Sequence, residues 1–441
     1  MKRFCSLLAF SLFLFWPLVS WATDEELLML LKTKGVITQE EMDGLLERVK
    51  GREKEDKTLK AFYKDGFQVQ TVDKSFKMQV GGRVQGDYLG LDNNDTDDSS
   101  FTIRRARIFA SGDLFKHTDF KGEIDFGQGN DASLTDGYLN FKYLKWAQLR
   151  IGQYKEPFSL EELTSSRYID FVERSTLNSL VPARDIGLMV HSEFLEGTIG
   201  YGLGIFNGSG LNQRRDQNDD KDIAGRLYFR PFAQSESMFL KGLQLATNFT
   251  VGNQEGGLST IRTPAARTSI ISWASGVKSD DRRTRFGADL AWVIGPFSLK
   301  SEYIRADWDN LRLKNRQEDF DIQGWYVTGS IFLTGEEKPF KEGAFGRLKK
   351  VHSFDPQKSG WGAWELLARY DTLRADDDIF DLGYATGTDR INAFTVGLNW
   401  YPHNMVTVKF NYVHNSYDDN LKELEGDDSE DLFLTRLQVE F

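Results

Sequence analysis

Three stretches of this 441-residue chain gather side chains able to hold an oxyanion. "FTIRRARIF" (101–109) carries Arg104, Arg105 and Arg107. "TSSRYIDFVERS" (164–175) sets Thr164, Ser165 and Ser166 beside Arg167, and "LSTIRTPAARTSI" (258–270) carries Arg262 and Arg267. A guanidinium keeps its charge at any physiological pH and meets an oxyanion with a fork of N–H donors, while short hydroxyls add further donors. Each stretch also admits a plainer reading. Arg167 and Arg174 can pair with Glu161, Glu162 or Glu173 to pin their own segment, and the first arginines can form ion pairs at a rim or a subunit interface.

Other chemistry is poorly represented. "LDNNDTDDSS" lacks the glycine and terminal glutamate of a calcium loop and reads as a solvated outer loop, so no metal site is expected. His117, His191, His352, His403 and His414 are scattered with no Gly-x-Ser-x-Gly near them, so neither catalysis nor a cofactor is expected. "LNQRRDQNDDKD", with Arg214 and Arg215, holds four aspartates and reads as a solvated outer loop.

The elements that must position the arginines are strands. In "RINAFTVGLNWYP", Phe394, Val396, Leu398 and Trp400 alternate with Ala393, Thr395, Gly397 and Asn399. "DFKGEIDF" likewise separates Phe120, Ile124 and Phe126 from Lys121, Glu123 and Asp125. One face is apolar and the other charged in strand after strand, a pattern that suits lipid outside and water inside better than the dry interior of a soluble sandwich. The same alternation places Arg105 and Arg107 with Ile103 and Phe109, and Arg104 with Ala106 and Ile108, so only one set can line the lumen. Segment 156–185 alternates nothing.

Composition sets the compartment. Residues 1–22 read as a cleaved secretory signal: Lys2 and Arg3, an apolar run, Pro17, then Ser20 and Ala22 before Thr23. Its loss takes away the single cysteine, Cys5, and moves the formal net charge from −11 to −13. A mean hydropathy of −0.45 and the lack of a second long apolar run exclude a helical membrane protein but not a transmembrane barrel. The acidic balance argues against nucleic acid as a partner.

The expected organisation is an N-terminal helical segment (23–50), with capping boxes Thr23/Glu26 and Thr38/Glu41, then a charged linker (51–63) and an all-β transmembrane antiparallel barrel (64–441). Recurrent two-period segments give about sixteen or seventeen strands. Trp146, Trp273, Trp308, Trp361, Trp364, Trp400 and Tyr401 suit an interfacial girdle, and the chain ends on "LTRLQVEF", with Phe433, Leu437, Val439 and Phe441 on one face. Such an ending resembles the insertion signal of bacterial outer-membrane barrels.

"FTIRRARIFASG", "PFSLEELTSSRYIDFVERS" followed by "ARDIG", "LTGEEKP", "GAWELLARYD" and "VGLNWYPHNMVTVKFNYV" together resemble the phosphate-selective porin O and P family, in the same order and at similar separations. The resemblance implies a sixteen-stranded barrel, usually trimeric, in the outer membrane, passing small anions such as phosphate or polyphosphate; a general porin without phosphate specificity is the alternative, and an outer-membrane adhesin or enzyme barrel is the alternative from another class. It also implies that 156–185 is a constriction loop folded into the lumen. Arg167 then matches a pore-facing lysine of the family, and arginines of 101–109 enter the pore. Arg262 and Arg267 correspond to a loop where the family carries a denser arginine ladder.

Overall fold

A computed structural model describes residues 24–56, 58–64, 66–93, 96–127, 129, 131–213, 219–341, 343–349 and 351–441. The secretory signal (1–22), its cleavage point before Thr23 and the pair Arg214 and Arg215 lie outside the described residues. The chain divides into two units, residues 1–61 with 69–75, and residues 62–68 with 76–441.

In the first unit, helices α1 (Asp24–Thr33) and α2 (Gln39–Asp56) flank Gly35, whose φ of 71° suits a helix stop. The second helix begins with a capping box. The Thr38 amide and hydroxyl donate to the Glu41 carboxylate at 2.8 and 3.0 Å, and the Glu41 amide returns a bond to the Thr38 hydroxyl. Thr23, the first member of the Thr23/Glu26 box, lies outside the described residues. The charged stretch read as a linker differs from expectation: it is helical to Asp56 and extended from Leu59 to Tyr63. Lys, Arg and Glu are good helix formers, so charge alone does not end a helix.

The second unit holds a closed antiparallel barrel of sixteen strands. They are β1 (Phe76–Asn93), β2 (Thr96–Leu114), β3 (Thr118–Asp125), β4 (Ser133–Phe141), β5 (Gln148–Lys155), β6 (Arg184–Phe194), β7 (Ile199–Phe206) and β8 (Asp222–Phe229). β9 (Leu243–Asn253), β10 (Arg282–Ile294), β11 (Phe297–Leu313), β12 (Arg316–Phe332), β13 (Ala363–Ala375), β14 (Arg390–His403), β15 (Val406–Leu421) and β16 (Asp427–Glu440) complete it. The wall therefore starts at Phe76, later than residue 64. β16 closes on β1 with Val439 opposite Val84 and Glu440 opposite Arg83. Closure leaves no unpaired edge, the condition for a sheet to stand in lipid.

The alternation is as the sequence shows, with one refinement. On β11, Phe297 and Leu299 face outward while Lys300 and Glu302 are buried inside. Further along, Arg305 and Asp307 point outward and Ile304, Ala306 and Trp308 are buried inside. The polarity of the two faces exchanges at Tyr303. Neighbouring strands place Trp325 opposite Tyr303 and Phe394 opposite Tyr370 at this level, and the Trp325 and Tyr370 rings are 5.5 Å apart. This aromatic ring marks the upper membrane boundary. Above it the barrel stands in water, and its inner wall carries an apolar cluster covered by returning loops: Ile261, Ile270 and Ile271 of 254–281, and Ile379 and Tyr384 of 376–389. The expectation of a uniformly charged inner face thus holds only within the membrane band. At the opposite end Trp364 and Trp400 stack at 5.5 Å.

Candidate functional site: a pinned constriction

Between β5 and β6 the chain leaves the wall at Lys155 and rejoins it at Arg184. The segment lies against inward-facing side chains of distant strands. A single helical turn, Leu160–Leu163, is capped by Ser159, whose Oγ accepts from the Glu162 amide at 3.1 Å. The Glu302 carboxylate of β11 accepts the amides of Leu160 and Glu161 at 3.0 and 2.7 Å, satisfying donors that a helix start leaves free. Lys409 of β15 donates to the Ile169 carbonyl, Asn399 of β14 to Asp170 at 2.8 Å, and Asp371 of β13 accepts the Thr176 amide at 3.0 Å. A loop with no strand partner thereby satisfies its backbone through the wall.

A second segment enters from the other end. In the turn between β12 and β13, Lys338 pairs with Asp170 of the constriction loop and Glu365 of β13, each at 2.6 Å. Arg347 reaches Glu440 at 2.6 Å and the Tyr168 hydroxyl at 3.3 Å. Phe345 packs on Leu160, Ala291 and Val293.

The arginines of 101–109 are not sorted by strict alternation. The ladder between β1 and β2 passes from Gln85 opposite Arg105 to Gly86 opposite Ile103, so Arg104 is the extra residue of a bulge. Ile103 faces outward, half exposed, whereas Arg104, Arg105 and Arg107 all turn inward. The two expectations that Ile103 shares the face of Arg105 and that only one arginine set lines the interior are corrected by this bulge.

Inside, the arginines meet the loop. Arg104 pairs with Glu173 at 2.7 Å, and Arg107 with Asp125 at 2.6 Å and Glu123 at 3.0 Å. Arg105, nearly buried, donates to Gln85 at 3.1 Å, and Gln85 donates to the Ser166 carbonyl at 3.0 Å. Arg83 donates to the Ser166 hydroxyl at 2.9 Å. Arg167 lies 4.7 Å from the centre of the Phe109 ring, with Glu123 and Glu440 only at 3.8 and 3.9 Å. The half-buried Ser165 hydroxyl accepts the Arg167 amide at 3.4 Å.

Several buried guanidinium nitrogens have no hydrogen-bond partner among the described residues: Nε of Arg83, Arg105 and Arg167, Nη2 of Arg167 and Nη1 of Arg436. Arg174 takes the plain alternative, donating to the carbonyls of Glu161, Glu162 and Thr164. Arg262 donates to the Arg267 carbonyl at 2.9 Å. Among the described residues neither arginine bonds to the 101–109 cluster, although the tip between them packs Ala265 and Ala266 near Val172.

Sequence reasoning missed Arg83, Gln85, Arg436, Lys338 and Arg347. Arg83 and Arg436 lie on the polar face of their strands, so alternation could have nominated them. Their meeting with residues 165–173 depends on how the loop folds into the lumen, Arg83 reaching Ser166 from β1 and Arg436 reaching Glu173 from β16.

Comparison with known proteins decides what this architecture is. Residues 78–441 match the profile of the family described as "Phosphate-selective porin O and P". The chain belongs to that family. It is therefore an outer-membrane porin. This porin is 28% identical to Porin O of Pseudomonas aeruginosa over 422 residues, covering 86% of this chain and 91% of the relative. An uncharacterized protein of Aquifex aeolicus is 24% identical over 411 residues, covering 83% and 88%. In fold the porin is similar to the outer membrane channel DcaP of Acinetobacter baumannii, with a TM-score of 0.55, 11% identity and coverage of 85% of this chain and 99% of that one. It is also similar to OmpF of Salmonella typhi, with a TM-score of 0.51, 12% identity and coverage of 87% and 100%.

Proposed function

We propose that this porin passes small anions, phosphate-type oxyanions among them, by diffusion through a constriction whose selectivity is set by Arg105 and Arg167 with Arg83, Ser165 and Ser166. The observation that carries the reading is the set of buried guanidinium nitrogens without a hydrogen-bond partner around residues 165–173. A partly dehydrated oxyanion needs such donors and must bind weakly enough to leave. Arg104 and Arg107, each held by carboxylates, orient the site and contribute less net charge. Arg262 and Arg267 form a sparse attracting entrance.

The chain's acidic balance does not oppose this, because charges more than a Debye length apart, about 8 Å at physiological salt, are largely screened. The reading includes export through a cleaved signal at residues 1–22, a homotrimer in outer-membrane lipid and no catalytic step. A trimer form of OmpT of Vibrio cholerae, similar in fold, supports the assembly. In a planar bilayer with a salt gradient the wild type should show stepwise, anion-selective conductance. Arg105→Gln with Arg167→Gln should move the reversal potential toward cations and weaken phosphate block of chloride current. A cation-selective wild type would falsify the reading, and an unaltered double variant would return these arginines to a purely structural role.

A further inference from the structure

Arg150 stands apart from the constriction, on β5 two residues from its start at Gln148. Its neighbour Ile151 faces lipid, half exposed, so Arg150 faces the lumen. Asn140 and Met189 are its register partners on β4 and β6. Its guanidinium lies 4.6 Å from the centre of the Tyr138 ring and 5.5 Å from that of Tyr154. Behind it, Tyr154, Met189, Phe206 and Ala224 form a small buried cluster on the inner wall.

The charges around it are already matched. Lys142 pairs with Asp113 and Asp119, Lys121 with Glu123 and Asp136, and Arg184 with Asp136. Arg150 forms no ion pair and no side-chain hydrogen bond among the described residues, and its Nε is buried without a partner. Beside it the Asn140 side chain is already engaged: its Nδ2 donates to Gln148 at 2.9 Å and to Asp119 at 3.3 Å, and its Oδ1 accepts from His191 Nε2 at 2.8 Å. Ring faces attract a cation but leave its in-plane N–H groups unsatisfied. A guanidinium held against two rings, partly desolvated and unmatched by any carboxylate, is prepared for an external oxyanion.

We propose that Arg150, held against the Tyr138 and Tyr154 rings, forms a second oxyanion station in the lumen, between the constriction and the turn end of the barrel. An anion leaving the pinned loop meets it before the exit. The proposal rests on the anion-passing reading above and adds a site to it.

The test uses the full-length protein in planar bilayers, with inorganic phosphate added to one side at a time to block chloride current. Arg150→Gln should weaken block from the turn side roughly tenfold, the loss expected on removing one charge-assisted contact, and leave block from the loop side near wild type. Arg150→Lys, which keeps the charge, should retain most of the block. Single-channel step size confirms that each variant forms its pore. Block by phosphate that is strong in the wild type and unchanged from both sides in Arg150→Gln overturns the station alone. A wild type that phosphate fails to block from either side overturns the station together with the phosphate reading of the constriction.

Discussion

The Asp170 carboxylate and the Lys338 ammonium, 2.6 Å apart, join two segments that enter the barrel from opposite ends. Asp170 sits in the loop from β5 to β6 and Lys338 in the turn from β12 to β13. Lys300 of β11 also reaches Asp170, at 2.8 Å, so the loop is held from the wall and from below.

Lys338→Met should therefore loosen the constriction. Removing the ammonium leaves Asp170 with Lys300 alone and the buried Glu365 with only its hydrogen bonds from Asn399 and Tyr401, which costs about 3 kcal/mol where no water replaces the lysine. The expected outcome is a lower unfolding temperature for the extracted barrel and more open-channel noise in single-channel recordings. A quiet channel of unchanged stability would show that Lys300 alone holds Asp170.

Glu302→Ala removes the carboxylate that accepts the Leu160 and Glu161 amides and the Tyr326 hydroxyl. Two buried amides then lack acceptors, at about 1–3 kcal/mol each. Backbone hydrogen exchange at residues 160–163 should rise by more than tenfold while β15 and β16 stay protected. Equal protection in the loop would mean another acceptor takes over.

The closing seam is vulnerable at Gly82. Its amide donates to the Phe441 carbonyl at 2.9 Å, and a Cβ there would come within 2.4 Å of the Phe441 ring and 2.6 Å of the Arg107 carbonyl. Gly82→Val should destabilise closure by about 1–3 kcal/mol, the range for overpacking. Gel mobility of unheated protein should report a larger unfolded fraction.

Phe441→Asp acts on assembly more than on stability. It places a charge on the face that Phe433, Leu437 and Val439 present to lipid, each half exposed to the outside. Outer-membrane levels should fall several-fold with accumulation in the periplasm, as fractionation would show; normal levels would locate the insertion signal elsewhere.

The helical segment offers a pH test. Bonds from the Thr38 amide and hydroxyl hold the Glu41 carboxyl below its ordinary 4.5. A depressed folded-state value gives stabilisation that is full above the ordinary value and lost as pH falls through the lowered one. The Thr38 amide resonance should shift at a pH below 4.5, and the shift should vanish in Glu41→Gln.

By itself the sequence determined the barrel, because lipid outside and water inside impose a period of two on every strand in the membrane band. It also marked 156–185 as a departure from the wall, since a segment without alternation cannot stand in that wall. Tertiary structure decided the rest. The bulge that turns Arg104 inward beside Arg105 depends on how β1 and β2 pair, and a one-residue shift leaves no composition signal. Ser166 meets Arg83 across 83 positions of chain once the loop after β5 folds back to β1, and Arg436 meets Asp87 across 349 only once β16 has closed on β1. The apolar inner wall above Tyr303 was equally hidden, because its strands alternate as the lower ones do. Only the loops folded over Ile304, Trp308 and Ile322 reveal that water lies on the other side.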